Sequence, residues 1–237
     1  MIDPRSVLPV SELFGPTLQG EGPYAGVTVQ FLRLMGCNLS CSWCDTPYTW
    51  DAREHDLNAE TTLLAWPDIV DALLPDTPLV ISGGEPLLHQ KHSAFQAVLQ
   101  HAWRKGCEVH IETNGTLAPL AATVSGTTVF AVSPKLSHAG PHRGRQDAAI
   151  ADGWADLAVQ GKAFLKVVVR HSGDVEYVAH WAAEHEWPKR ATWVMPVGTD
   201  AHTLLARWQE IASAAALAGI NASQRLHVLA WGDTKGT

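Results

Sequence analysis

Short apolar runs separated by polar, glycine-bearing loops make up most of the chain. Residues 28–34 (TVQFLRL) have the length and composition of a strand. Residues 78–82 (PLVIS) are wholly apolar, as in a strand covered on both faces. Residues 108–113 (EVHIET) alternate, and 127–132, 163–170 and 191–197 are rich in β-branched side chains. Helical patterns lie between them. Residues 68–74 follow Pro67, which suits a first helical turn. Residues 93–105 stop at Gly106 and 202–218 stop at Gly219, while 174–186 end before Pro188.

Strands alternating with helices predict about six βα units around a parallel sheet. Six units are too few for a closed eight-stranded barrel, which leaves an open, partial barrel or a doubly wound sheet. In both, ligands collect at the carboxyl ends of the strands. The unusual sequences of this chain follow predicted strands: MGCNLSCSWCDT after the first, GGEP after the second, NGT after the third and SPK after the fourth. They predict a single site.

Composition narrows the function. The 237 residues are 46% hydrophobic and 17% charged, which describes a globular chain and predicts one domain over 1–237. A net charge of −7 argues against a protein devoted to nucleic acid or to an anionic membrane, and leaves room for an anionic small molecule met by one local cation. Neither a basic, apolar leader nor a run of membrane-spanning length is present, so a cytoplasmic location is expected.

Three of the four cysteines, Cys37, Cys41 and Cys44, fall within eight residues in a C-x₃-C-x₂-C spacing. Thiolates this close suit a soft metal. A structural zinc wants a fourth ligand, for which His55 or Cys107 would have to serve; core cysteines are the bland alternative. A [4Fe–4S] cluster held by three thiolates leaves one iron open to bind a small molecule. Cys107, by itself, reads as a small buried apolar residue.

The cysteine spacing, with Trp43 just before the last cysteine and Gly83-Gly84-Glu85-Pro86 after the apolar strand, resembles radical S-adenosylmethionine enzymes. More narrowly, 12–23 (ELFGPTLQGEGP), Arg33, Asp45-Thr46 after the last cysteine, 112–116 (ETNGT), 132–135 (VSPK) and 225–232 (RLHVLAWG) resemble the 7-carboxy-7-deazaguanine synthase family. The likeness runs from about residue 12 to 232. It implies an open, TIM-like (β/α)₆ barrel and conversion of 6-carboxy-5,6,7,8-tetrahydropterin to 7-carboxy-7-deazaguanine with loss of ammonia, toward queuosine and related deazapurines. It implies a 5′-deoxyadenosyl radical that takes hydrogen from C6 of the pterin, with S-adenosylmethionine regenerated. The implied partners are a flavodoxin- or ferredoxin-type electron donor and a second copy of the chain.

The resemblance also assigns residues. Cys37, Cys41 and Cys44 hold the cluster, and Thr46 contacts Mg²⁺. Trp43, Cys44, Asp45, Gly84, Glu85, Glu112, Ser133, Pro134, Lys135 and Pro196 face S-adenosylmethionine. Leu18, Gln19, Gly20, Glu21, Arg33, Ser82 and His227 face the substrate, with Arg33 presenting a forked cation to its carboxylate. Without the family, Thr46 is a turn hydroxyl, Gln19 and Glu21 are turn residues, and His227 is a core histidine on a last strand. The competing functions are a glycyl-radical-enzyme activase, which the LQGEG and CDT segments oppose, and a non-catalytic zinc or iron–sulfur module. The basic, glycine-rich segment 137–146 reads as a surface loop or as a flap over the site.

Overall fold

The computed structural model describes residues 2–142 and 149–237. The part of the 137–146 segment beyond His142 lies outside the described residues. In chain order come β1 (Val7–Leu18), β2 (Thr28–Leu34), β3 (Thr62–Ala65), α1 (Trp66–Ala72), β4 (Leu79–Gly83), α2 (Ser93–Arg104), β5 (Val109–Thr113) and α3 (Ala121–Gly126). Then follow β6 (Val129–Val132), α4 (Trp154–Val159), β7 (Ala163–Val169), α5 (Ser172–Glu184), β8 (Thr192–Pro196), α6 (Ala201–Ala218), β9 (Asn221–Ala222) and α7 (Leu226–Trp231).

Among the described residues these strands form one sheet in the order β3-β1-β2-β4-β5-β6-β7-β8-β9. Every neighbouring pair from β2 to β9 is parallel. β1 runs antiparallel to β2 and to β3. β3 and β9 stand at opposite edges, so the barrel stays open. The six expected strands are the six central ones, and the open βα architecture holds.

The pleat decides what faces the site. On β7, Leu165, Val167 and Val169 join the core beneath the helices, whereas Lys166 and Val168 turn to the concave side. On β2, Leu32 and Leu34 pack under the helices while Phe31 and Arg33 face inward, Arg33 opposite Ser82 of β4. The helix layer is anchored by the fully buried Phe95, Phe130 and Trp154. Burying each such side chain contributes roughly 1.5–3 kcal/mol.

The ends of the helices follow local chemistry. Pro67 lies in the first turn of α1, Asp200 caps α6 by accepting from Thr203 N–H at 2.8 Å, and Gly219 ends α6 in the left-handed region. Lys105 Nζ donates to the carbonyls of Val70, Asp71 and Leu73 at 2.7, 3.1 and 3.0 Å, closing the last turn of α1.

The short elements β3, α3, α4 and β9 fall in segments given no element by the pattern, and two further regions depart from it. β1 carries Pro9 and Pro16, which mask it as a strand; its ladder to β2 shifts register between Val10 and Glu12 and between Phe14 and Thr17. The last strand expected around His227 is a short helix, α7. Its six residues are too few to reveal a period, and only Val228 among them is buried, so no alternating face exists.

Candidate active site

A cavity of about 200 Å³ opens at the carboxyl ends of the parallel strands. The loops after β2, β4, β5 and β6 converge on it, joined by the segment between β1 and β2 and by the chain from β8 to α7. Leu18, Gln19, Gly20, Glu21, Arg33, Cys37, Cys41, Trp43, Cys44, Asp45, Thr46, Ser82, Gly84, Glu112, Ser133, Lys135 and His227 all line it. Pro134 lies between two lining residues, Pro196 between Met195 and Val197, and neither reaches the cavity.

One wall is built from thiols. Cys37, Cys41 and Cys44 sit on the loop after β2 and face the same space. Cys37 Sγ accepts from Leu39 N–H at 3.4 Å, Cys44 Sγ accepts from Trp50 Nε1–H at 3.3 Å, and Thr46 Oγ1 lies 3.7 Å from Cys44 Sγ. Burial pushes the Cys37 thiol up to about 12 and also raises Cys41. Nothing in this wall favours thiolates strongly, so a metal that displaces the protons supplies the missing charge. Among the described residues, no group of three His, Cys, Asp or Glu side chains is gathered closely enough to hold a single ion. Three thiols spread over one wall fit a cluster, in which each thiolate takes a separate iron, better than a shared zinc. Cys107 lies elsewhere, buried with its S–H on the Leu74 carbonyl at 3.3 Å. His55 packs edge-on to Tyr48 and does not line the cavity.

The GGEP turn braces this wall from behind. A Cβ at Gly84 would fall on the Gly36 carbonyl oxygen, and one at Gly83 on the backbone of Leu34. The paired glycines therefore serve the approach of two loops of the protein itself, with Gly84 N–H on Leu34 O at 3.0 Å and Glu85 N–H on Gly36 O at 2.7 Å. Glu85 does not line the cavity. Its carboxylate is fully buried and accepts from Leu87 N–H (2.9 Å), Thr113 Oγ1–H (2.8 Å) and Asn114 N–H (2.7 Å). It ties the loops after β4 and β5 together.

The opposite wall is charged. Lys166 Nζ bridges Glu21 Oε2 at 2.5 Å and Glu112 Oε1 at 3.0 Å. Arg225 Nε donates to Glu21 Oε1 at 2.9 Å, its Nη2 pairs with Asp45, and its Nη1 donates to Gly198 O at 2.7 Å. Glu112 also accepts from Ser82 Oγ–H at 2.8 Å and from Gln19 Nε2–H at 3.3 Å. Burial alone would raise Glu21, but Lys166 and Arg225 outweigh it and hold its carboxyl well below the usual range. Glu112 follows the same balance, lowered by Lys166 against its burial. Lys166 is correspondingly held above its ordinary value by Glu112 and Glu21, against burial. His227, 4.0 Å from Glu21, is kept below its ordinary value by burial and is neutral at pH 7. A Cβ at Gly20 would overlap the His227 ring, so Gly20 is the residue that lets α7 close over the first loop.

Arg33 also lines the cavity. Its Nε donates to Glu12 Oε2 at 2.7 Å, and Tyr48 O–H donates to the same oxygen at 2.9 Å. Sequence reasoning gave no role to Glu12, Tyr48, Lys166 or Arg225. Lys166 did leave a signal, since an ionisable residue in the middle of an apolar strand must find a buried partner.

Comparisons with known proteins agree with this geometry. Residues 18–126 match the 4Fe-4S single cluster domain family. A 7-carboxy-7-deazaguanine synthase of Pyrobaculum aerophilum is 32% identical over 96% of both chains, and one of Hyperthermus butylicus is 36% identical over 95% of this chain and 93% of its own. The crystal structure of QueE from Escherichia coli shares the fold, with a TM-score of 0.64 at 22% identity over 92% of this chain and 93% of that one. Similarity at this level along nearly the whole length of two relatives places the chain in the 7-carboxy-7-deazaguanine synthase family.

Proposed function

We propose that this protein converts 6-carboxy-5,6,7,8-tetrahydropterin into 7-carboxy-7-deazaguanine with loss of ammonia, a step toward queuosine and related deazapurines. The observation that carries this reading is the single cavity whose two walls differ: three thiols on one side, a buried ion-pair network on the other. Cys37, Cys41 and Cys44 would hold a [4Fe–4S] cluster. With S-adenosylmethionine bound, that group would supply the one-electron reduction and radical chemistry. The remaining roles belong to the chain. Trp43 and Lys135 flank the cofactor space, with Lys135 Nζ 5.4 Å from the Trp43 ring. Arg33 has its Nε held by Glu12, so its terminal Nη pair is the edge offered to the substrate carboxylate.

Gln19, Glu21 and Glu112 present acceptors and an amide to the polar edge of a pterin, while Lys166 keeps both carboxylates ionised and Arg225 adds to its effect on Glu21. His227, neutral, adds one ring nitrogen that accepts and one that donates. A site so densely charged suits a small polar heterocycle better than the backbone of a protein partner, which separates this reading from a glycyl-radical activase. Thr46, beside Cys44, would offer a protein oxygen to a Mg²⁺ ion, a hard cation that would help hold a substrate carboxylate. The chain acts as one domain over 1–237, in the cytoplasm, as a homodimer served by a flavodoxin- or ferredoxin-type donor. In support, no helix among the described residues is long and apolar enough to cross a membrane. The test is an anaerobic reaction of reconstituted protein with S-adenosylmethionine, reductant and the carboxytetrahydropterin. The expected outcome is the deazaguanine by mass and one ammonia per turnover. Cleavage of S-adenosylmethionine without that product would refute the assignment.

A further inference from the structure

The indole of Trp43 is held from outside the cysteine loop. Its Nε1–H donates to His138 Nδ1 at 3.0 Å, and the two rings lie 5.7 Å apart at 35°. An indole N–H only donates, so Nδ1 must be bare and the imidazole proton must sit on Nε2. His138 is almost fully buried, with 3% of its side chain exposed, and among the described residues Nε2 meets no partner at full hydrogen-bond geometry, with only the Val168 backbone close enough to favour its proton. The nearest carboxylate oxygen, Oδ2 of Asp174, is 3.7 Å away and already accepts from the Arg170 backbone N–H at 2.8 Å and Nε–H at 3.2 Å. A buried, half-satisfied imidazole is costly to keep. Among the described residues, the well-formed hydrogen bond of this ring is the one to Trp43.

The surrounding contacts separate the ring from the loop. Ser42 N–H donates to Ala139 O at 2.8 Å, and Ser40 N–H to His142 Nδ1 at 3.3 Å. These bonds already fix the backbone of the cysteine loop. What His138 adds is the rotation of the indole about its own side-chain torsions.

We propose that His138 is a positioning residue for the cofactor, fixing the Trp43 indole in the orientation that packs against the adenine of S-adenosylmethionine. The proposal rests on the cofactor reading of Trp43 given above. Its test compares His138→Leu, which keeps bulk and removes the acceptor, with His138→Asn, whose Oδ1 can accept where Nδ1 did. Iron per chain should be the same in all three reconstituted proteins, because the loop bonds persist. The dissociation constant for S-adenosylmethionine should rise about three- to tenfold in His138→Leu and stay within about twofold in His138→Asn, the range expected for one hydrogen bond. In metal-free protein labelled with ¹⁵N-tryptophan, the indole N–H resonance absent from Trp43→Phe identifies Trp43. It should move upfield in His138→Leu and stay near its original place in His138→Asn. Unchanged cofactor affinity in His138→Leu, or equal weakening in both variants, would overturn the proposal. If Trp43→Ala bound S-adenosylmethionine as tightly as the wild type, the cofactor reading of Trp43 would fall and the proposal with it. A weakened Trp43→Ala beside an unaffected His138→Leu would remove only the proposal.

Discussion

The two walls of the cavity are opposite solutions to burying polar chemistry. The charged wall is complete without a ligand: each of Glu21, Glu112, Lys166 and Arg225 already has at least one partner of opposite sign. The thiol wall is incomplete, because burial raises Cys37 and Cys41 and nothing on that side favours the thiolate enough. A pre-paired network holds a fixed pattern of donors and acceptors for a polar substrate. A wall in which burial holds Cys37 and Cys41 toward the thiol form instead couples metal loading to loss of protons. One half of the site is set by folding and the other by the metal.

The most severe test of that division is at the cysteines. Alanine at Cys37, Cys41 or Cys44 should abolish iron retention at the open-cluster stoichiometry and all turnover, while the charged wall and the fold persist. Cys107→Ala, measured by iron content and rate, should keep both; loss of the cluster there would place a fourth ligand far from the cavity. Next comes Lys166→Met. It strands Glu112, whose only cation is Lys166 among the described residues, beside Glu21, which keeps Arg225, and the metal-free protein should lose about 3 kcal/mol in urea unfolding. Adding Glu112→Gln should restore part of it. A loss below about 0.5 kcal/mol would mean that the network is hydrated and not part of the core.

A smaller effect is expected at Arg33, which lines the cavity with its Nε held by Glu12. Arg33→Lys keeps the charge and loses the planar fork, so substrate affinity should fall about tenfold with S-adenosylmethionine binding unchanged. Equal weakening of both ligands would place Arg33 on the cofactor side. The subtlest effect is in pH. Glu21 and Glu112 titrate below their unfolded values, so their contribution is present above the ordinary carboxylate range, about pH 4, and is lost as pH falls through their folded values. Cys37 runs the other way. Its contribution is complete below its unfolded value of 9.0 and is lost as pH rises toward about 12. The urea midpoint of the metal-free protein should therefore drop on both flanks. With the cluster loaded, the alkaline drop should vanish and the acid drop remain. An alkaline drop that persists in the loaded protein would break the comparison.

The same contrast explains what was legible in the sequence. The thiol wall comes from eight consecutive residues after one strand, and spacing alone announced it. The charged wall joins Glu21 to Lys166 across 145 positions and to Arg225 across 204, and no local pattern encodes such a pairing. The parallel strands were visible because runs such as PLVIS and AFLKVVV are buried on both faces or nearly so. β1 was hidden by Pro9 and Pro16, and α7 by brevity. Glu85 was legible as important, but the use of its side chain was not. It is a fully buried brace between the loops after β4 and β5, and a carboxylate in a motif does not reveal which way it turns.

The central claim is that both walls serve one reaction in one cavity, with cofactor and pterin side by side. Substrate deuterated at C6 tests it directly, by mass analysis of S-adenosylmethionine recovered after several turnovers. Hydrogen taken from C6 by the cofactor-derived radical and carried back into regenerated cofactor should leave deuterium in recovered S-adenosylmethionine. Recovered cofactor free of deuterium, with one 5′-deoxyadenosine released per turnover, would contradict it.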